Sequence, residues 1–210
     1  MKKRLLTLMV AFMAIVMGTT TASAYDFSVD GIYYKILDET SVEVTYEVKY
    51  NTPDYQGDIV VSANVTNNGT TYNVTKIGQY AFCACPNITS ITLPEGIKTI
   101  DGMAFYSCSK LETILLPNSL ETIGDNVFES CSVLKSITIP SGVKEIGNNT
   151  FSQCPALECI VVAEGNTTYD SRDNCNAIIK TNTNVLIRGC KGSTIPSGVK
   201  QIGALAFQNI

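Results

Sequence analysis

Phenylalanine stands at positions 82, 105, 128 and 151, each 23 residues after the one before. Cys85, Cys108, Cys131 and Cys154 keep the same period, as do Ile77, Ile100, Ile123 and Ile146, and Pro94, Pro117 and Pro140. A 23-residue unit has a hydrophobic side but cannot close a core by itself. Stacking successive units buries the columns against one another and produces one continuous core. The chain is therefore expected to be a solenoid.

Within a unit the apolar positions run Leu111, Ile114, Leu116 and then Pro117, the alternation of a strand with one buried face. Proline ends that strand because it cannot donate to a ladder. A second short apolar segment follows, such as Leu120 and Ile123, and then a Gly-x-x-(Ala/Val)-Phe turn. Gly124, Gly147 and Gly203 are expected there to allow the backbone conformation of a tight corner. The corner "VKEIGNNTF" at 143–151 returns as "VKQIGALAF" at 199–207.

The pattern L-x-x-I-x-L-P-x-x-L-x-x-I-G-x-x-A-F-x-x-C, standing here as Leu111 to Cys131 with Val127 in place of the Ala, resembles the BspA-like leucine-rich repeats of bacterial and protozoan surface proteins. The resemblance covers residues 74–165 closely and 194–210 again. It implies a leucine-rich repeat solenoid, β-rich, with one strand per coil in a parallel sheet and short turns or 3₁₀ segments on the other side. It also implies a surface or secreted protein that binds other proteins, in some members host matrix components.

Both flanks depart from the period. Lys2, Lys3 and Arg4, the apolar run Leu5 to Gly18 and Ala22-Ser23-Ala24 have the order of a signal peptide cut before Tyr25. The run is too short to span a bilayer, and no later stretch is long enough to do so. No Cys follows the cut, which argues against lipid anchoring. Residues 25–73 alternate β-branched or aromatic with polar residues, and "NNGTTYNV" supplies a hairpin turn. They are expected to cap the first coil with antiparallel strands; an independent binding module is the alternative.

At the other end, 56 residues separate Phe151 from Phe207, ten more than two periods. Residues 166–198 are thus an enlarged variant coil, with apolar segments Ala177–Ile179 and Val185–Ile187 suggesting a hairpin that projects from the array. Residues 199–210 begin a last coil that stops unfinished, so an exposed apolar end is expected.

Chemistry has little to stand on. The chain has no histidine, which removes His-based triads, Cys-His dyads and His-containing zinc sites. Cys85, Cys108, Cys131 and Cys154 would stack with parallel Cβ vectors, poor geometry for disulfides, and a linear row does not wrap a metal. They read as a buried column of small apolar residues. A two-residue loop at Asn182-Thr183 would place Cys175 opposite Cys190, where a disulfide could staple the hairpin, although a one-residue slip would separate them. Asp170 and Asp173 in "YDSRDN" are the densest polar cluster. They could serve a carbohydrate-active enzyme or a Ca²⁺ ion, but such a run is usual turn chemistry. No cofactor or metal site is expected, and a net charge of −4 without a basic run disfavours nucleic acid.

What remains is the exposed face of the strands: Ser90 and Thr92, Thr113 and Leu115, Ser136 and Thr138, and Cys159 and Val161, more apolar towards the C-terminal end. Exposed strands favour Thr on propensity alone. As a nearly uncharged ledge, the face also suits a protein or glycan partner met outside the cell, in an adhesion-type role. An enzyme using the acidic loop and a spacer without its own ligand are the alternatives. Sequence leaves the oligomeric state open.

Overall fold

The computed structural model describes residues 24–47 and 55–209; the expected signal peptide lies outside these residues apart from Ala24. Strands β1 (Phe27–Val29), β2 (Ile32–Ile36) and β3 (Ser41–Thr45) form an antiparallel meander. Strand β4 (Gln56–Val60) follows, and β5 (Asn64–Asn67) and β6 (Thr70–Ile77) make a hairpin. Its turn is Asn68-Gly69, both at positive φ, as a two-residue turn twisted to match its strands requires.

Each repeat then contributes two strands on opposite sides of the core. The Leu-x-x-Ile-x-Leu segments give β7 (Asn87–Thr92), β9 (Thr113–Leu115), β11 (Ser136–Ile139) and β13 (Cys159–Val162). The short Thr-Ile or Glu-Ile segments give β8 (Thr99–Ile100), β10 (Thr122–Ile123) and β12 (Glu145–Ile146). β6, β8, β10 and β12 pair parallel in that order, with Ile77, Ile100, Ile123 and Ile146 in register. The two-residue strands make the turn side of the repeat a second parallel sheet.

The meander does more than cover an end. β3 pairs parallel with β6, and β4 pairs parallel with β7, so residues before 74 already supply one strand to each sheet. Tyr55 closes the core, its ring 5.3 Å from that of Phe82 and its hydroxyl donating to the Gly31 carbonyl at 3.0 Å.

Inside, the rings of Phe82, Phe105, Phe128 and Phe151 lie 5.5–5.6 Å apart and within 9° of parallel. Their backbones are tied as well: Phe82 N–H donates to Ala104 O, Phe105 to Val127 O and Phe128 to Thr150 O. The cysteine column does more than fill space. The Cys108, Cys131 and Cys154 thiols donate to the carbonyls of Phe82, Phe105 and Phe128, one coil back, at 3.1–3.3 Å. The Phe105 and Phe128 carbonyls also accept from the N–H of Cys108 and Cys131 in their own coils, so there the thiol adds a second, uncharged donor.

The corner glycines serve a different need from the one expected. Gly124 and Gly147 are not at positive φ. A Cβ on Gly124 would sit 2.6 Å from Gly102 N, and one on Gly147 would sit 2.5 Å from Asp125 N. Glycine is there because adjacent coils touch backbone to backbone. The positive-φ positions fall instead on two non-glycine columns, Tyr80, Met103, Asn126 and Asn149, and Ala84, Ser107, Ser130 and Gln153.

The enlarged coil does not project. β14 (Tyr169–Asp170), β15 (Ala177–Lys180), β16 (Val185–Gly189) and β17 (Gln201–Ile202) form one sheet, with a 3₁₀ turn at Arg172–Asn174. Ala177, Ile178, Ile179, Leu186 and Gly189 are buried. Burying that apolar run requires the hairpin to fold into the stack. It enters between Phe151 and Phe207, so the phenylalanine stack ends at Phe151. Phe207 packs instead on Gly189, where a Cβ would lie 2.2 Å from its ring. On the last coil Ile202 is 44% exposed, although its counterparts Ile77, Ile100 and Ile123 are buried.

The disulfide is not formed: Cys175 and Cys190 are free thiols. Lys180 pairs with Val185 and Ile179 with Leu186, as a loop at Asn182-Thr183 demands. A bulge between Ile178 and Ile179 then moves Ala177 opposite Gly189. That one-residue slip leaves Cys190 beside Asn176, whose carbonyl accepts its thiol at 3.2 Å.

Candidate functional site: the outer face of the repeat sheet

Strand pleating decides which residues face out. On β7, β9, β11 and β13 the central Ile91, Ile114, Ile137 and Ile160 point into the core, so their neighbours point to solvent. Register then lines those neighbours up. Ser90 stands beside Thr113, Thr92 beside Leu115, Ser136 beside Cys159 and Thr138 beside Val161. Thr92, Thr113, Leu115, Ser136, Thr138 and Val161 are exposed, and Ser90 is half-buried.

Two further residues join the face from β4. Asp58 lies beside Ser90, and Val60 lies beside Thr92. The outer row therefore reads Val60, Thr92, Leu115, Thr138, Val161, with the three aliphatic members 66%, 74% and 41% exposed. Apolar character does not rise towards one end, as the sequence suggested; it alternates with threonine along the row. Sequence reasoning missed Asp58 and Val60 because β4 stands 32 residues before β7 rather than 23. "DIVV" at 58–61 nevertheless matches "SITL" at 90–93 and "CIVV" at 159–162.

The face carries little charge. The Asp58 carboxylate accepts from Ser90 Oγ at 2.6 Å and Thr89 Oγ1 at 3.0 Å, and these bonds lower its pKa. Cys159 is half-buried and donates to Asn176 Oδ1 at 3.5 Å, so it is a weaker part of the face than its register suggests. Exposed Glu112, Lys135 and Glu158 precede the strands and give a charged border.

The sheet is not continuous. β4, β7 and β9 form one ladder and β11 and β13 another, with no ladder between β9 and β11. A groove of about 370 Å³ lies at this seam, lined by Thr113, Leu115, Ser136 and Thr138 together with Asn118 and Ala163. A larger depression of about 890 Å³ lies on the turn side, bordered chiefly by Ser107, Ser109, Ser130 and Ser132. It is open, and Gln153, Pro155 and Asn209 complete its uncharged lining.

The acidic loop does not assemble a pair of carboxylates. Burial raises the Asp170 carboxyl, but Arg172 donates to both its oxygens, at 2.7 and 2.5 Å, and the net pKa is lowered. Arg172 also donates to Asn184 Oδ1 at 2.8 Å, tying the loop to the hairpin turn. Asp173 is exposed, in the 3₁₀ turn at φ 56°. Among the described residues no three His, Cys, Asp or Glu side chains gather as metal ligands, and no helix is long and apolar enough to cross a membrane.

The model of the BspA type leucine-rich repeat region matches residues 61–179 in six copies. The chain belongs to this family. Its matched span begins at residue 61, directly after β4 and before β6, both of which pair with repeat strands. No curated protein matches the chain. Among solved structures, a leucine-rich repeat protein from Bacteroides ovatus is 33% identical with a TM-score of 0.54, over 65% of this chain and 41% of that one. The chain thus spans about two fifths of that relative. One from Bacteroides capillosus is 30% identical with a TM-score of 0.57, over 65% of this chain and 97% of that one. One from Eubacterium ventriosum, 22% identical over 86% of this chain and 56% of that one with a TM-score of 0.59, shares the fold. The BspA-type array thus presents its outward residues at a regular spacing from coil to coil.

Proposed function

We propose that this BspA-type protein is exported and binds a partner protein through its outer sheet face, in an adhesion-type role at the cell exterior. The observation that carries this reading is the row Val60, Thr92, Leu115, Thr138, Val161. Three aliphatic side chains are held in solvent by two adjoining parallel ladders, beside a groove and inside a charged border. Burying them would repay water exclusion at about 25 cal/mol per Å² of apolar surface. The alternation with threonine keeps hydrogen-bonding groups within reach of a partner's backbone, the usual mix of apolar centre and polar rim. A rigid repeat scaffold loses little entropy on binding.

The test uses the chain without residues 1–24, immobilised and exposed to extracellular-matrix proteins and to a glycan array, beside a Leu115→Glu/Thr138→Arg double variant. Saturable capture of a protein that the variant loses supports the reading. Capture confined to glycans reassigns the partner class, and capture that survives the double substitution moves the site elsewhere. Silence on both panels would sink the adhesion role. Turnover of a glycan that disappears in Asp170→Asn would favour the enzyme reading instead.

A further inference from the structure

Where the rest of the array uses a thiol, the enlarged coil uses a cation. The carbonyls of Phe82, Phe105 and Phe128 accept from cysteine, but that of Phe151 accepts from the guanidinium of Arg188. The other terminal nitrogen of Arg188 donates to the Leu205 carbonyl at 3.1 Å. Arg188 is 7% exposed. Two carbonyls satisfy two of its five N–H donors and cancel none of its charge. Its Nε is buried with no acceptor, and no carboxylate pairs with it among the described residues. Burial pushes its pKa below the usual value, opposed by the thiols of Cys154 and Cys190 alone. Guanidinium nevertheless stays protonated in proteins. A thiol would have served the Phe151 carbonyl without this cost, so the charge itself calls for an explanation.

A cleft of about 360 Å³ adjoins it, between the corner at residues 146–151 and the one at 203–205. Arg188 lines this cleft together with Lys180, Tyr169, Asn148, Asn149 and Thr150, and no Asp or Glu does. Lys180 is exposed and forms no ion pair among the described residues. The Tyr169 hydroxyl accepts from Ile146 N–H at 3.2 Å, which leaves its own proton to donate. The cleft shares no residue with the groove on the sheet face, so it stands apart from the partner surface proposed above.

The geometry points to this cleft as a binding site for a carboxylated sugar unit, with its carboxylate between Arg188 and Lys180 and its hydroxyls on Asn148, Asn149 and Tyr169. Guanidinium and ammonium supply charge-assisted hydrogen bonds to a carboxylate. The remaining lining is neutral amide and hydroxyl, the donor and acceptor set that sugar hydroxyls use. A free phosphate or sulfate would meet the same two cations, so the hydroxyl contacts on Asn148, Asn149 and Tyr169 are what set a carboxylated sugar apart.

The full chain is titrated at constant ionic strength with glucuronate, glucose, sulfate and phosphate, followed by calorimetry and by amide NMR shifts. Glucuronate is expected to bind saturably and move the amides of residues 148–150 and 180, while glucose does not bind. Lys180→Gln weakens glucuronate about three-fold, as an exposed charge contact should. Arg188→Met weakens it at least about ten-fold, as loss of a charged donor should. Because Arg188 also braces two carbonyls, a misfolded Arg188→Met leaves the decision to Lys180→Gln and to Asn148→Ala at an exposed position. Equal binding of glucose, unchanged affinity in Lys180→Gln, or absence of saturable glucuronate binding overturns the site. Sulfate or phosphate binding without glucuronate overturns its assignment to a sugar.

Discussion

The thiol of Cys131 donates to the carbonyl of Phe105 at 3.3 Å, joining two residues 26 positions apart in consecutive coils. Cys131→Ala removes one of that carbonyl's two donors, the Cys108 N–H remaining at 3.3 Å, and opens a small cavity. A loss of about 0.5–1.5 kcal/mol is expected. Cys131→Ser restores a donor and should recover part of it. Urea denaturation of the three proteins checks both; equal stability of parent and Cys131→Ala would make the contact incidental.

The same burial sets an alkaline limit. It raises the Cys154 thiol from 9.0 to about 11, against a hydrogen bond to the Cys131 backbone that lowers it, and raises Cys108 and Cys131 as well. Tyr34 is raised by burial to about 12. The unfolded chain releases these protons near their ordinary values, whereas the folded chain holds them. Stability is therefore full below pH 9 and falls as pH rises from about 9 towards 11–12. Denaturation midpoints at pH 7, 9 and 10.5 should decline across the last interval, and a flat profile would contradict it.

Met103 occupies a left-handed position, φ 59°, that Asn126 and Asn149 fill in the next two coils. Asparagine tolerates this conformation better than a long side chain. Met103→Asn is expected to stabilise the protein by about 0.5–1 kcal/mol, read as a raised thermal midpoint. A lowered midpoint would mean that the Met103 side chain contributes more by packing than its backbone costs.

Gly189 is the site where the last coil meets the insert. In Gly189→Ala the new methyl must displace the Phe207 ring, an overpacking worth about 1–3 kcal/mol. Each coil contacts only its neighbours, so the loss should be local. Hydrogen exchange is expected to speed up at residues 199–209 and stay unchanged at 97–131. Uniform acceleration would show the array to be one cooperative unit.

Leu115 is 74% exposed, so Leu115→Glu should change stability by less than about 0.5 kcal/mol while removing an apolar contact from the sheet face. Circular dichroism melts separate this from unfolding. A large drop in the melting temperature would show that Leu115 serves the fold rather than a partner.

Much of this protein was legible in its columns. Phe82, Phe105, Phe128 and Phe151 recur at one spacing because stacked coils must place like residues over like. A period therefore specifies parallel strands, a shared core and the outward direction of Thr92, Leu115 and Thr138. The family follows from the same residues. β4 stayed hidden because its 32-residue offset from β7 breaks the period, although "DIVV" carries the right alternation.

Sequence alone determined the repeat, the buried columns and the outward face of the strands, since these depend on alternation and spacing within short windows. Tertiary structure decided what the windows cannot hold: the bulge that moved Cys190 off Cys175, the close backbones that require Gly124 and Gly147, and the folding of the insert into the stack. It also decided that Phe151's carbonyl meets Arg188, 37 residues away, instead of a cysteine. Each of these depends on where a neighbouring coil's backbone lies, which registers and contacts between coils set and no local pattern records.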